Sequence, residues 1–119
     1  MSTKRLETMA RSSRKSPRHF APVFFALGDP TRLALLTKLS QRSPSSIAAL
    51  TEGSALTRQA ITKHLRVLQN VGLIRGVRHG RENLFELERH SLDEARLALD
   101  RISQQWDVAI ARLKSFVEE

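Results

Sequence analysis

Leu56 to Asn70 reads LTRQAITKHLRVLQN, and VGLIRGVRHGRENLFEL follows it directly. The apolar residues Ile61, Leu65, Leu68 and Val71 fall at i, i+4, i+7 and i+10, one stripe of an α-helix. Gln59, Thr62, Lys63, Arg66 and Asn70 fall on the other side, which holds long or hydroxyl-bearing donors and no carboxylate. Thr57 stands where an N-cap is needed, its hydroxyl able to accept from a first-turn amide. Small Ala60 permits close approach of a neighbouring helix. By itself this pattern describes any amphipathic surface helix. An acid-free polar face also suits the DNA major groove, where phosphates repel acids and base edges reward forked donors. The flanking segments decide between the two.

Downstream, Gly72 ends the helix as a C-terminal cap. Ile74 through Leu87 then reads as a β-hairpin turning at Gly80, with Ile74, Phe85 and Leu87 facing inward. Arg75, Arg78 and Arg81 lie at or near its tip. A hairpin tipped with arginines directly after such a helix forms a wing, able to touch phosphate or a narrow minor groove. Upstream, Asp29 is an N-cap and Pro30 fits the first position of a helix reaching about Gln41. That helix is expected to turn Leu33, Leu36 and Leu39 inward, with Leu35 beside them. Ser43 to Ser46 reads as a turn, and Ile47 and Leu50 anchor a short helix over roughly Ser46 to Glu52. Two helices joined by a short turn, the second with a donor-rich outer face, are the helix-turn-helix pattern.

The ends of the chain have other characters. Residues 1–18 are polar, rich in Ser and Arg, and unable to bury enough surface to fold alone, so a disordered basic tail is expected. His19 to Leu27 gathers three of the five phenylalanines, as a short helix or half-extended arm whose aromatic side must be covered. Leu92 to Val117 carries Leu92, Ala95, Leu99, Ile102, Trp106, Ala109, Leu113 and Phe116 at alternating spacings of 3 and 4, a heptad pattern. As one helix it runs about 39 Å, more than a domain this small needs to seal its own core. Pairing with the same helix of a second copy is expected, carried by Phe20, Phe24, Leu99, Ile102, Trp106, Ala109, Leu113 and Phe116. The expected organisation is a tail (1–18), a DNA-binding domain (19–90) and a dimerisation helix (91–119).

Composition narrows the function. The chain has 119 residues, no cysteine and a net charge of +8. Disulfides, thiolate metal sites and sulfur redox switches are therefore out of reach. No run approaches the ~18 apolar residues of a membrane span, and the N-terminus lacks a signal peptide's apolar block, so a cytoplasmic protein is expected. Residues 1–18 carry +5, residues 53–81 carry six bases and no acid, and residues 82–119 carry −4. The positive field thus sits on the tail and on the helix-plus-hairpin stretch, which points to a polyanionic partner.

The series FFALGDPTRLALLTKL, SSIAAL, LTRQAITKHLRVLQNVGLI and RHGRENLFEL, in that order, resembles the ArsR/SmtB family of winged-helix transcriptional repressors. The likeness covers about residues 20–90. It implies a mainly α fold with a small β-hairpin, a winged helix-turn-helix dimerised through terminal helices, bound to operator DNA and typically repressing its own operon. It puts Arg58, Gln59, Thr62 and Lys63 where the family's helix meets bases, matches His64 to the family's histidine near the end of that motif, and makes phosphate contacts of the wing arginines. Metal-sensing members use cysteines in the helix before the recognition helix, or Asp/His/Glu sets on the last helix. Ile47–Glu52 has no cysteine, and the last segment offers Asp93, Glu94, Asp100 and Asp107 with no histidine after His90, so no metal and no cofactor are expected. The ending QQWDVAIARLKSFVEE resembles the metal-independent branch. A small hydrophobic effector could sit at the pairing surface near Trp106, though no residue pattern demands one.

The expected function is a sequence-specific regulator that binds double-stranded DNA. It would be a homodimeric repressor reading a pseudo-palindromic operator with the helix 57–70 and the wing 74–87. The DNA-contacting set is Thr57, Arg58, Gln59, Thr62, Lys63, His64, Arg66, Arg75, Arg78 and Arg81. An enzyme is not expected: His19, His64, His79 and His90 lack a nucleophile or second acid/base partner at a motif spacing, and there is no phosphate-cradling glycine loop. A winged-helix RNA-binding or protein-interaction module is the alternative. Base-stacking RNA platforms need exposed aromatics, whereas the aromatics here fall, apart from Phe85, on apolar helix faces.

Overall fold

A 3-10 turn, Pro17–Phe20, leads straight into α1, Ala21–Leu27. The computed structural model describes residues 16–118, so most of the expected tail, residues 1–15, lies outside the described residues. Helical structure begins at Pro17, inside the stretch expected to be disordered. After α1 come α2 (Pro30–Gln41), β1 (Ser45–Ser46), α3 (Ile47–Thr51), α4 (Arg58–Asn70), β2 (Ile74–His79), β3 (Glu82–Leu87) and α5 (Arg89–Glu118). Ala21–Leu92 forms one compact unit; the segment ending at Phe20 and the chain from Asp93 onward form another.

Within Ala21–Leu92 the helix starts follow the capping residues. Asp29 accepts from the Arg32 amide at 2.9 Å, Ser46 from the Ala49 amide at 3.1 Å, and Thr57 from the Ala60 amide at 3.1 Å. Each satisfies a first-turn donor that has no partner inside the helix. The end of α4 is equally well defined. The Leu73 amide reaches back to Leu68 O and the Gly72 amide to Gln69 O, both at 3.0 Å, a Schellman cap. That cap requires a left-handed residue, and Gly72 has φ +78°.

The wing is a two-residue hairpin in which His79 faces Glu82 across Gly80-Arg81. Gly80 has φ +62°, the sign that a type II′ turn needs at its first central position. The sheet has three antiparallel strands in the order β1-β3-β2. Its third member lies in what the sequence suggests is a plain turn: Ser45 pairs with Phe85 and Ser46 with Leu84. Two serines show no alternation of character, so nothing local marks them as a strand; the free edge of β3 recruits them.

The core of this unit is built from Val23 and Ala26 of α1, Leu35 and Leu39 of α2, Leu50 of α3, Ile61, Leu65 and Leu68 of α4, and Leu73 and Ile74 beyond it. Helix α4 packs on α1, α2, α3 and β2, and so sits at the centre of the unit. Two inward residues differ from expectation. Leu33 is 48% exposed because the inner stripe of α2 runs Arg32, Leu35, Leu39, one residue round from the expected one. Leu87, on the edge-proximal end of β3, is also exposed, while Phe85 is half-buried.

In the second unit Phe20, Ala95 and Ala98 are buried. Helix α5 has 30 residues, about 45 Å at 1.5 Å per residue. From Ser103 through Glu118 every residue of it is exposed.

These burial patterns make opposite demands on two leucines of the same type. Leu65→Ala empties a closed site and is expected to cost about 2–5 kcal/mol in urea unfolding, whereas Leu33→Ala stays within about 0.5 kcal/mol.

Candidate nucleic-acid interface

The inner stripe of α4 fixes which of its side chains are left outside. Arg58, Gln59, Lys63, Arg66, Gln69 and Asn70 are exposed and Thr62 is half-buried. At 100° per residue these seven occupy an arc of about 140°. Among them are three cations and four neutral polar side chains, and no acid. Thr57 is exposed at the N-terminus of the same helix. The Thr62 hydroxyl donates to Arg58 O at 2.7 Å. Its one proton is thereby committed, so toward an incoming base or phosphate Thr62 can only accept.

His64 does not belong to that face. It is half-buried, on the flank of the Ile61–Leu65 stripe. Its Nδ1 lies 3.3 Å from the Arg32 guanidinium and 3.8 Å from the Asp29 carboxylate. His64, expected among the DNA-contacting residues, turns toward α2. The Arg32 amide that donates to Asp29 holds this carboxyl below its ordinary value, against an opposing desolvation and helped by the Arg32 and His64 charges.

On the wing, Arg78 and Arg81 are exposed, with His79 between them. Arg75 is not at the tip. It sits near the base of the hairpin opposite Glu86, donating from Nε to Glu86 and lying 3.5 Å from Glu88. Glu86 holds that guanidinium above its already high ordinary value. Two carboxylates thus offset the charge that the sequence assigns to DNA. Arg75 and Glu86 are eleven positions apart in the chain, and only the strand register brings them side by side.

Between α4 and the wing lies a cleft of about 420 Å³, with Ile47, Leu65, Val77 and Phe85 among its walls and Thr62, Arg66, Gln69, Arg78 and Asn83 presenting polar groups. Gln69 and Asn83 are additions to the sequence-derived set. Gln69 was within reach of the helical period, one step of seven from Thr62. Asn83 was not, since only the pairing of Arg78 with Asn83 brings it to the cleft.

Of the expected pairing residues, Phe20 is only 2% exposed. Its ring is edge-on to His19, with centroids 5.1 Å apart. Covered within its own chain, it has almost no apolar area left for a second copy. Phe24 is half-buried, and the exposed aromatic of α1 is Phe25, lying under the Arg32 guanidinium at 5.5 Å. On α5, Leu99, Trp106, Ala109, Leu113 and Phe116 are exposed and Ile102 is half-buried. Among the described residues no three His, Asp or Glu side chains gather in a way that could hold a metal ion, and no helix is long and apolar enough to cross a membrane.

The comparisons with known proteins agree with this geometry. A helix-turn-helix domain family matches residues 27–77. An uncharacterised HTH-type transcriptional regulator of Bacillus subtilis, YuzN, is 42% identical over 65 residues, which are 50% of this chain and 71% of that protein. The HTH-type transcriptional repressor SmtB of Mycobacterium tuberculosis is 31% identical over 85 residues, covering 71% of this chain and 61% of the repressor. Among solved structures, an ArsR-like transcriptional regulator from Rhodococcus sp. RHA1 superimposes with a TM-score of 0.74 at 38% identity, over 82% of this chain and 89% of that one.

Two outcomes follow from the charges. Each cation that meets phosphate adds about 0.9 to the slope of log affinity against log salt. Arg78→Ala is expected to lower that slope by about this amount, and Arg75→Ala, whose charge Glu86 and Glu88 already offset, to leave it unchanged in a salt titration of duplex binding. For Asp29, whose carboxyl is held below its ordinary 3.8, the ionised form lends stability that is complete above that value and is lost as pH falls through the lower, folded one. The stability gap between the native protein and Asp29→Asn, which keeps a capping oxygen, is therefore expected at neutral pH and should shrink below about pH 4 in urea unfolding.

Proposed function

This chain belongs to the ArsR-like family of winged helix-turn-helix transcriptional regulators, and from that premise we propose that it is a cytoplasmic, homodimeric repressor. It reads a pseudo-palindromic operator with α4 and a basic wing. The observation that carries this reading is a pair of exposed surfaces of opposite character. One is the acid-free arc of α4 continued by Arg78 and Arg81 of the wing. The other is the apolar stripe of α5, where Trp106 is 66% and Phe116 is 78% exposed.

Apolar area of that extent is seldom left in water on a monomer. A second copy of α5 offers the same stripe in return, which a two-fold interface requires, and the heptad spacing suits helix-on-helix packing. Leu99, Ile102, Trp106, Ala109, Leu113 and Phe116 carry the pairing in this proposal, and Phe20 is left out. A pseudo-palindrome is read by two copies of α4 in successive major grooves, about 34 Å apart, and a two-fold dimer supplies the two copies. Arg58 and Gln59 read base edges, the first suited to guanine and the second to adenine. Thr57, Lys63, Arg66, Arg78 and Arg81 face phosphate, and the cleft between α4 and the wing gives a strand room to pass. The repressor role is drawn from the likeness to the M. tuberculosis protein, of which this chain spans 61%.

The test is selection of bound duplexes from a random pool, with sedimentation of the protein alone. An inverted repeat with half-sites about 10 bp apart, or a multiple of it, is the expected motif. Arg58→Ala is expected to relax base preference by about 1–3 kcal/mol. Trp106→Glu is expected to give a monomer that holds the full repeat no better than a single half-site. A native protein that is monomeric, that enriches no motif, or that prefers RNA in competition would overturn the proposal.

A further inference from the structure

Arg32 is a charged side chain in the core of the reading unit, 8% exposed, and its donors are committed in three directions. Nε donates to Ala26 O at 2.7 Å and Nη2 to Phe25 O at 3.1 Å. Both carbonyls belong to the last turn of α1, where helix carbonyls run short of onward amides; the Phe25 one also accepts from the Gly28 amide at 3.1 Å. The third nitrogen, Nη1, reaches His64 Nδ1 on α4 at 3.3 Å. Arginine has only donors, so in this contact Nδ1 acts as acceptor, the role it has in the neutral tautomer that carries its proton on Nε2. Asp29, which caps α2 through the Arg32 amide, stands 3.8 Å from the same Nδ1. Three helices therefore meet at one guanidinium.

Helix α4 also packs on α1 and α2 as a whole, and the residues these helices bury include Ile61, Leu65 and Leu68 on α4, Leu35 and Leu39 on α2 and Ala26 on α1. Apolar packing resists separation of helices but is non-directional, whereas a hydrogen bond at a fixed atom sets the rotation of a helix about its own axis. That rotation matters for reading. With side chains reaching 5–6 Å from the axis, a turn of about 10° moves their tips by about 1 Å. Such a shift is tolerable for a lysine or arginine on phosphate and ruinous for a bidentate contact to a base edge.

We propose that Arg32 and His64 are positioning residues for base reading: the guanidinium, clamped by the two carbonyls of α1, holds Nδ1 and so sets the rotational phase of α4. The inference rests on the regulator reading given above. It makes sequence preference, and not general affinity for duplex, depend on a contact that no nucleotide touches.

Three substitutions at one position isolate it. His64→Asn puts an amide oxygen near the place of Nδ1, His64→Gln puts its amide near the place of Nε2, and His64→Leu removes the acceptor altogether. Each variant is assayed for thermal midpoint, for affinity to the selected duplex and to a random duplex, and for the salt slope of both. His64→Gln and His64→Leu are expected to lower the ratio of selected to random affinity by about tenfold, with random-duplex affinity and salt slope unchanged. His64→Asn is expected to stay within about threefold of the native ratio. If His64→Leu does not fold, the Asn and Gln variants still decide the matter. Equal ratios for Asn and Gln overturn the inference, as does a fall in the ratio matched by the same fall in random binding or thermal midpoint. A native protein without preference among duplexes overturns the regulator reading and this inference together; a native preference that His64→Gln retains overturns this inference alone.

Discussion

Burial of Ile61, Leu65 and Leu68 is the constraint from which the reading unit follows. Three side chains one turn apart commit α4 to a single face against α1, α2, α3 and β2. Because a helix has only one opposite side, that commitment also chooses which residues meet solvent. Arg58, Gln59, Lys63 and Arg66 are outside because Ile61, Leu65 and Leu68 are inside. The Schellman cap at Gly72 then turns the chain at once into β2, which places the wing beside the same outer face. The buried stripe and the acid-free outer face are two consequences of one periodicity.

Charge is distributed by the same logic. The acids near the reading surface are not scattered at random: Glu86 and Glu88 hold Arg75 at the base of the wing, and Asp29 caps α2 beside His64. Each of these three carboxylates is tied to a local cation or amide; Glu82 stands exposed at the turn of the wing, and no acid stands on the exposed arc of α4. What α4 turns toward solvent is a set of cations with no acid among them, continued by Arg78 and Arg81 on the wing. A polyanion approaching this unit meets that set first.

Much of this was legible in the chain. The caps at Asp29 and Thr57, the glycine stop at Gly72, the hairpin turn at Gly80 and the inner stripe of α4 are decided by residues within a few positions of one another, and local chemistry reports them faithfully. The misreadings have a common cause. Leu33 looks as apolar as Leu35, and one residue of rotation in α2 separates exposed from buried. Arg75 looks like Arg78 until strand register sets it opposite Glu86. The contacts of His64 with Arg32 and Asp29 likewise become visible only when α2 packs against α4.

The sequence by itself determined the phase of α4, the caps at Asp29 and Thr57, the order of helix, helix and hairpin, and the acid-free character of the outer face of α4, because each is set by covalent neighbours within one or two turns. Only the tertiary structure decided which cations are left to act and which are spent internally, that two serines complete the sheet, and that Phe20 lies in the chain's own core and not on its surface. Those outcomes depend on distances between residues 11 to 40 positions apart. Such distances are fixed by packing, and packing is a property of the whole folded unit that no local pattern encodes.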